Sequence, residues 1–68
     1  MTRKELSQKL IEAGMDQFLA GYLVRDDYDG GAHISFSDLD GLDGRKVRAL
    51  VKGSECRLSD KGIWFHIN

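Results

Sequence analysis

Asp43-Gly-Arg-Lys-Val-Arg-Ala-Leu-Val-Lys-Gly53, followed by Ser54 and then Glu55-Cys-Arg-Leu-Ser-Asp-Lys-Gly-Ile-Trp-Phe-His-Ile67, is the stretch whose periodicities decide the fold. Its first half repeats with the period of a helix. Val47, Leu50 and Val51 share one face, and Arg45, Arg48 and Lys52 share the opposite one. Asp43 suits an N-cap and Gly53 a stop, so a helix is predicted over 44–52. The second half alternates. Strands are predicted near 55–58 and 63–67, with Ser59-Asp60-Lys61-Gly62 as the turn between them. Ile63, Phe65 and Ile67 then face the core, while Trp64 and His66 face outward or toward a partner.

Working outward, the N-terminus carries two further helical patterns. Thr2 and Glu5 fit a capping box, in which each side chain satisfies a free N–H of the first turn. Leu6, Leu10 and Ile11 follow as a narrow apolar stripe, and Gly14 is placed to end that helix. Asp16 suits the cap of a second helix. There Met15, Phe18, Leu19, Tyr22 and Leu23 give the best helical periodicity in the chain, slightly weakened by Gly21. The composition of 26–31 is that of a loop. His33-Ile34-Ser35-Phe36 alternates and predicts a short strand, and 37–42 offers one helical turn capped by Ser37. The expected class is α+β: two N-terminal helices, a short strand, an amphipathic third helix and a C-terminal β-hairpin, in a single domain over 1–68.

Sixty-eight residues make a thin core, because a chain this short buries only about 60% of its unfolded surface. Little of the fold is left for a deep pocket, which most enzymes need. The formal net charge of −1 hides a sharp division. Segment 26–43 holds six Asp and no Lys or Arg, a local charge of −6. Segment 44–61 holds Arg45, Lys46, Arg48, Lys52, Arg57 and Lys61 against Glu55 and Asp60, a local charge of +4. Each is a candidate contact surface. One cysteine, Cys56, forms no intramolecular disulfide, which fits a reducing compartment. No apolar run approaches membrane-spanning length and the N-terminus has no apolar signal core. A cytoplasmic protein without a membrane partner is expected.

Three resemblances follow from these patterns. Segment 27–38 resembles the twelve-residue calcium loop of the EF-hand, with Asp27 and Asp29 at its first and third positions, Ile34 at its eighth and Asp38 at its twelfth. The fifth position is Gly31 and the sixth Ala32, where the loop needs a ligand and a sharply turning glycine. No metal is therefore expected. The order helix, strand, short helix, amphipathic helix and hairpin resembles the winged helix-turn-helix domain, with an extra N-terminal helix. That resemblance implies nucleic-acid binding, with Arg45, Lys46, Arg48 and Lys52 of the helix at the groove and Arg57 and Lys61 of the wing at phosphates. In size and acidic character the chain is similar to small phage inhibitors such as anti-CRISPR proteins, which act by occupying a protein surface.

Catalytic signatures are absent from the sequence. His33, His66 and Cys56 have no zinc-motif spacing, and there is no phosphate-binding glycine loop and no nucleophile elbow. Cys56 alternates with Leu58 and reads as a buried structural thiol. No cofactor and no small-molecule substrate are expected. The leading expectation is a non-enzymatic inhibitor that docks on a protein or nucleoprotein complex. Its acidic surface comprises Asp26, Asp27, Tyr28, Asp29, Asp38, Asp40 and Asp43, with Tyr28 as an aromatic anchor. The alternative is a winged-helix nucleic-acid-binding regulator that uses the basic helix and wing.

Overall fold

The computed structural model of the protein describes residues 1–25 and 30–68. Helix α1 (Arg3–Glu12) and helix α2 (Gln17–Leu23) lead to strand β1 (Gly31–Ser35). The one-turn helix α3 (Phe36–Leu39) and helix α4 (Gly44–Lys52) follow, then strands β2 (Cys56–Leu58) and β3 (Gly62–His66). The strands form an antiparallel sheet in the order β1-β3-β2. The α+β class and the order of its elements are those expected.

Local chemistry explains most boundaries. The capping box at α1 forms: Glu5 N–H donates to Thr2 Oγ1 at 3.1 Å, and Thr2 N–H donates to Glu5 Oε1 at 3.2 Å. Asp16 Oδ2 accepts from the N–H groups of Phe18 and Leu19, which starts α2. Gly14, at φ +110°, makes the reversal between the two helices in a region that disfavours side chains. The turn at 36–39 is capped by Ser35 and not by Ser37, because Ser35 Oγ receives the Asp38 N–H. Phe36 consequently opens a helix and does not extend β1.

The core lies between one face of the sheet and the helices. Ala32, Ile34, Ile63, Phe65 and Ile67 come from the sheet side, Leu6 and Leu10 from α1, and Leu50 from α4. Phe65 is fully buried, a contribution of about 1.5–3 kcal/mol from a side chain of its type. The predicted alternation of β3 holds, with Trp64 half-buried and His66 exposed on the outer face.

Helix α2 departs from expectation. It forms, but its large apolar stripe does not face the core. Phe18 is 78% exposed, Tyr22 58% and Leu19 marginally, while Ala20 is wholly buried and Leu23 and Val24 turn inward. The inward face is thus the set Ala20, Leu23 and Val24, at i, i+3 and i+4. Of the predicted stripe only Met15, which precedes the helix, and Leu23 join the core. A long-range clamp holds α2 in this orientation. Arg3 Nη1 donates to the carbonyls of Val24 and Arg25 at 2.9 Å and of Gly31 at 3.3 Å, joining the end of α2 to β1.

Candidate functional site

The basic helix α4 is amphipathic in the predicted sense. Leu50 is buried, Val47 and Val51 are half-buried, and Arg45, Arg48 and Lys52 are exposed on the opposite side. Spacings of three and four residues put these three cations along one ridge. Asp43 starts the helix by accepting the Arg45 N–H at 3.0 Å. Lys52 lies in its last turn, where a positive charge is favoured by the helix dipole. Among the described residues, none of Arg45, Arg48, Lys52, Arg57 and Lys61 forms an ion pair.

Lys46 has a different task. Its Nζ donates to the Glu12 carbonyl at 3.0 Å, which places a cation on the last turn of α1. The Asp43 N–H also donates to the Ala13 carbonyl, so the start of α4 is tied to the end of α1. Between these helices runs an open groove of about 360 Å³, lined in part by Lys9, Glu12, Lys46 and Ala49.

On the hairpin, Arg57 and Lys61 are exposed. Arg57 sits opposite Trp64 on β3, and Trp64 sits opposite His33 on β1, so the three share one row across the outer face. Gly31 belongs to the same face, and a Cβ there would lie 2.5 Å from the indole of Trp64. The indole therefore lies down on β1, at a place only glycine leaves clear. The turn is closed by Ser59, whose Oγ accepts from the N–H groups of Lys61 and Gly62.

The acidic residues are partly spent on structure. Asp38 is half-buried and accepts a hydrogen bond from Ser35 Oγ at 2.7 Å. Asp43 is the N-cap of α4, and Asp40 is the C-cap of α3. Asp40 and Asp43 remain exposed. Asp26, Asp27, Tyr28 and Asp29, the remaining residues of the expected acidic surface, lie outside the described residues. The calcium-loop alignment meets a strand where the loop would curl round an ion. Its fifth to ninth positions, Gly31 to Ser35, are β1, with Gly31 paired to His66 in the ladder.

Cys56 is half-buried, not buried as expected. Its Sγ donates to the Val51 carbonyl at 3.5 Å. Cys56 pairs with Phe65 on the core side of the sheet, whereas His66 lies on the outer side, 3.9 Å from Glu55. Thiol and imidazole are thus not aligned as nucleophile and base. Among the described residues no group of three His, Cys, Asp or Glu side chains is placed to hold a metal ion. No helix among them is long and apolar enough to cross a membrane.

Among the features sequence reading missed are the Arg3 clamp and the outward face of α2. The first bridges 21 to 28 residues and has no local signal. The second had one, since Ala20, Leu23 and Val24 form an alternative stripe on the same helix. Compared with known proteins, the chain matches no family model, no curated protein and no solved structure.

Proposed function

We propose that this protein is a non-enzymatic binding module that docks on nucleic acid, free or held within a nucleoprotein complex, through α4 and the hairpin. The observation that carries this reading is the unpaired state of its cations. Arg45, Arg48 and Lys52 line one ridge of a rigid helix, and Arg57 and Lys61 project from the hairpin, with no carboxylate partner among the described residues. Such cations gain by replacing the counterions of a phosphate backbone. Of the described aspartates, in contrast, Asp16 and Asp43 accept backbone N–H groups as N-caps and Asp38 accepts from Ser35 Oγ. Neither cofactor nor metal enters this reading, and the lone cysteine fits a reducing, cytoplasmic setting.

Fluorescence anisotropy with short labelled duplexes and single strands tests it. If all five cations engage phosphates, log K falls against log salt with a slope of about −4.5, and the α4 ridge alone gives about −2.7. Arg45→Glu/Arg48→Glu lowers affinity at least tenfold without changing the melting temperature. Absence of binding at about 50 mM salt, or binding indifferent to the double reversal, would overturn it.

A second reading rests on the same lack of pairing. Asp40 and Asp43 are exposed, and no cation of α4 neutralises them. An inhibitor of the anti-CRISPR kind would present them, with Asp26, Asp27 and Asp29, to a basic protein surface. In that case Asp26→Lys/Asp27→Lys/Asp29→Lys abolishes partner binding while the arginine reversals leave it intact.

A further inference from the structure

The core takes one face of the sheet, and the other face has a different chemistry. Its side chains are those of His33 and Ser35 on β1, Trp64 and His66 on β3 and Arg57 on β2, and its remaining strand positions are glycine. None is aliphatic, so this face offers little to an apolar protein surface. It offers an indole, two imidazoles and a guanidinium, flat groups that pack against other flat rings.

A hollow opens in this face beside the indole. It measures about 340 Å³ and is lined in part by Trp64, Arg57, His66 and Glu55. That is the small end of the roughly 300–1,000 Å³ range of ligand sites, with room for one ring and not for a folded element. Glu55 and His66 stand 3.9 Å apart, so the imidazole, when protonated, offsets the one carboxylate. Arg57 has no carboxylate partner among the described residues, and Lys61 is exposed in the adjoining turn. An aromatic wall is thus joined to an excess of positive charge. A nucleobase with its phosphate matches both, ring against indole and phosphate on guanidinium.

The wall of the hollow is set before anything binds. A Cβ on Gly31 would lie 2.5 Å from the indole, and one on Gly62 would collide with the Ile34 carbonyl. Ring and hairpin are therefore held close on β1, and little ordering is left to be done on binding. The hollow also favours one state of nucleic acid. Leu50 faces the core, so the α4 ridge opposite it points away from the sheet. A stiff duplex lying on that ridge does not bend round to the outer face. A flexible strand does, and its unpaired bases are open to an aromatic side chain.

We propose that the hollow takes one unpaired base of a single-stranded nucleic acid, packed against the Trp64 indole with its phosphate on Arg57. The proposal rests on the nucleic-acid reading above and names the strand state that reading left open. Packing on an aromatic ring is tolerant of sequence, because every base has a π-face.

Trp64 is the one tryptophan of the chain, so its emission reports on this hollow alone. Unlabelled oligo-dT of about 10 nucleotides, within the footprint of a single groove, is titrated into the protein at about 50 mM salt. The emission is quenched to saturation, and the matching dA·dT duplex leaves it unchanged. Trp64→Leu, its fold checked by circular dichroism, loses roughly 5- to 150-fold in strand affinity by anisotropy, the worth of one stacked base, and Trp64→Phe regains most of it. Arg57→Ser, at an exposed position, weakens binding and quench together. Duplex binding that responds to the Arg45 and Arg48 reversals, with no quench by the strand, overturns this proposal and leaves the α4 reading standing. Quench by the strand without any duplex binding supports the proposal and sinks the α4 ridge. Strand affinity indifferent to Trp64→Leu overturns it. So does thymidine monophosphate that quenches as strongly as the strand at equal concentration, since the ligand is then a free nucleotide.

Discussion

Helices α2 and α4 are built from the same kind of pattern and are used in opposite ways. Each carries large apolar residues at helical spacing. In α4 that stripe packs inward, with Leu50 only 6% exposed, and the charged ridge meets solvent. In α2 the stripe meets solvent, and the small residue Ala20 is the one fully buried. The difference lies in what stands opposite. Helix α4 lays Leu50, with Val51 beside it, on the core. Helix α2 is short, packs against α1 and is tied at its end by Arg3, and its inner face is made by Ala20, Leu23 and Val24. An amphipathic period shows that a helix has two faces; the neighbours choose which one turns in.

The largest effect expected from this contrast is at Leu50. Leu50→Ala costs about 2–5 kcal/mol, the range for deleting a buried leucine. In a domain whose whole stability is on the order of 5 kcal/mol, the variant is largely unfolded at 37 °C in a urea or thermal melt. A wild-type melt would mean that α4 does not bury this face, and the placement of its basic ridge would fall with it.

The clamp on α2 comes next. Arg3→Ala leaves the carbonyls of Val24, Arg25 and Gly31 without their charged donor. Two of these bonds are partly buried, so a loss of about 1–3 kcal/mol is expected from the melt. Hydrogen exchange sharpens the reading: protection should drop first in α2 and β1, with α4 little changed. Uniform loss across all helices would show that Arg3 supports the whole core and not the orientation of α2.

The smallest effect belongs to the exposed ring. Phe18→Ser changes stability, read from the melt, by no more than about 0.5 kcal/mol. Set beside Leu50→Ala, this variant measures the contrast between the two helices directly. A cost near that of Leu50 would place the Phe18 ring in the core and erase the contrast.

Much of this protein is determined by its sequence alone. The helix over 44–52, the hairpin after it and the capping box at Thr2 and Glu5 all depend on interactions within a few residues, and all appear where local spacing puts them. The cations of the candidate interface were legible for the same reason, since charged side chains opposite an apolar stripe stay in solvent when that stripe packs inward. Tertiary structure decided the rest. It turned α2 outward, gave Lys46 to the Glu12 carbonyl, set the Trp64 indole on Gly31 and drew Arg3 to carbonyls more than 20 residues away. These outcomes join segments far apart in the chain, and local periodicity carries no record of which surfaces will meet. Burial is settled by which surfaces meet, and on α2 it is Ala20 that is buried while Phe18 stays outside.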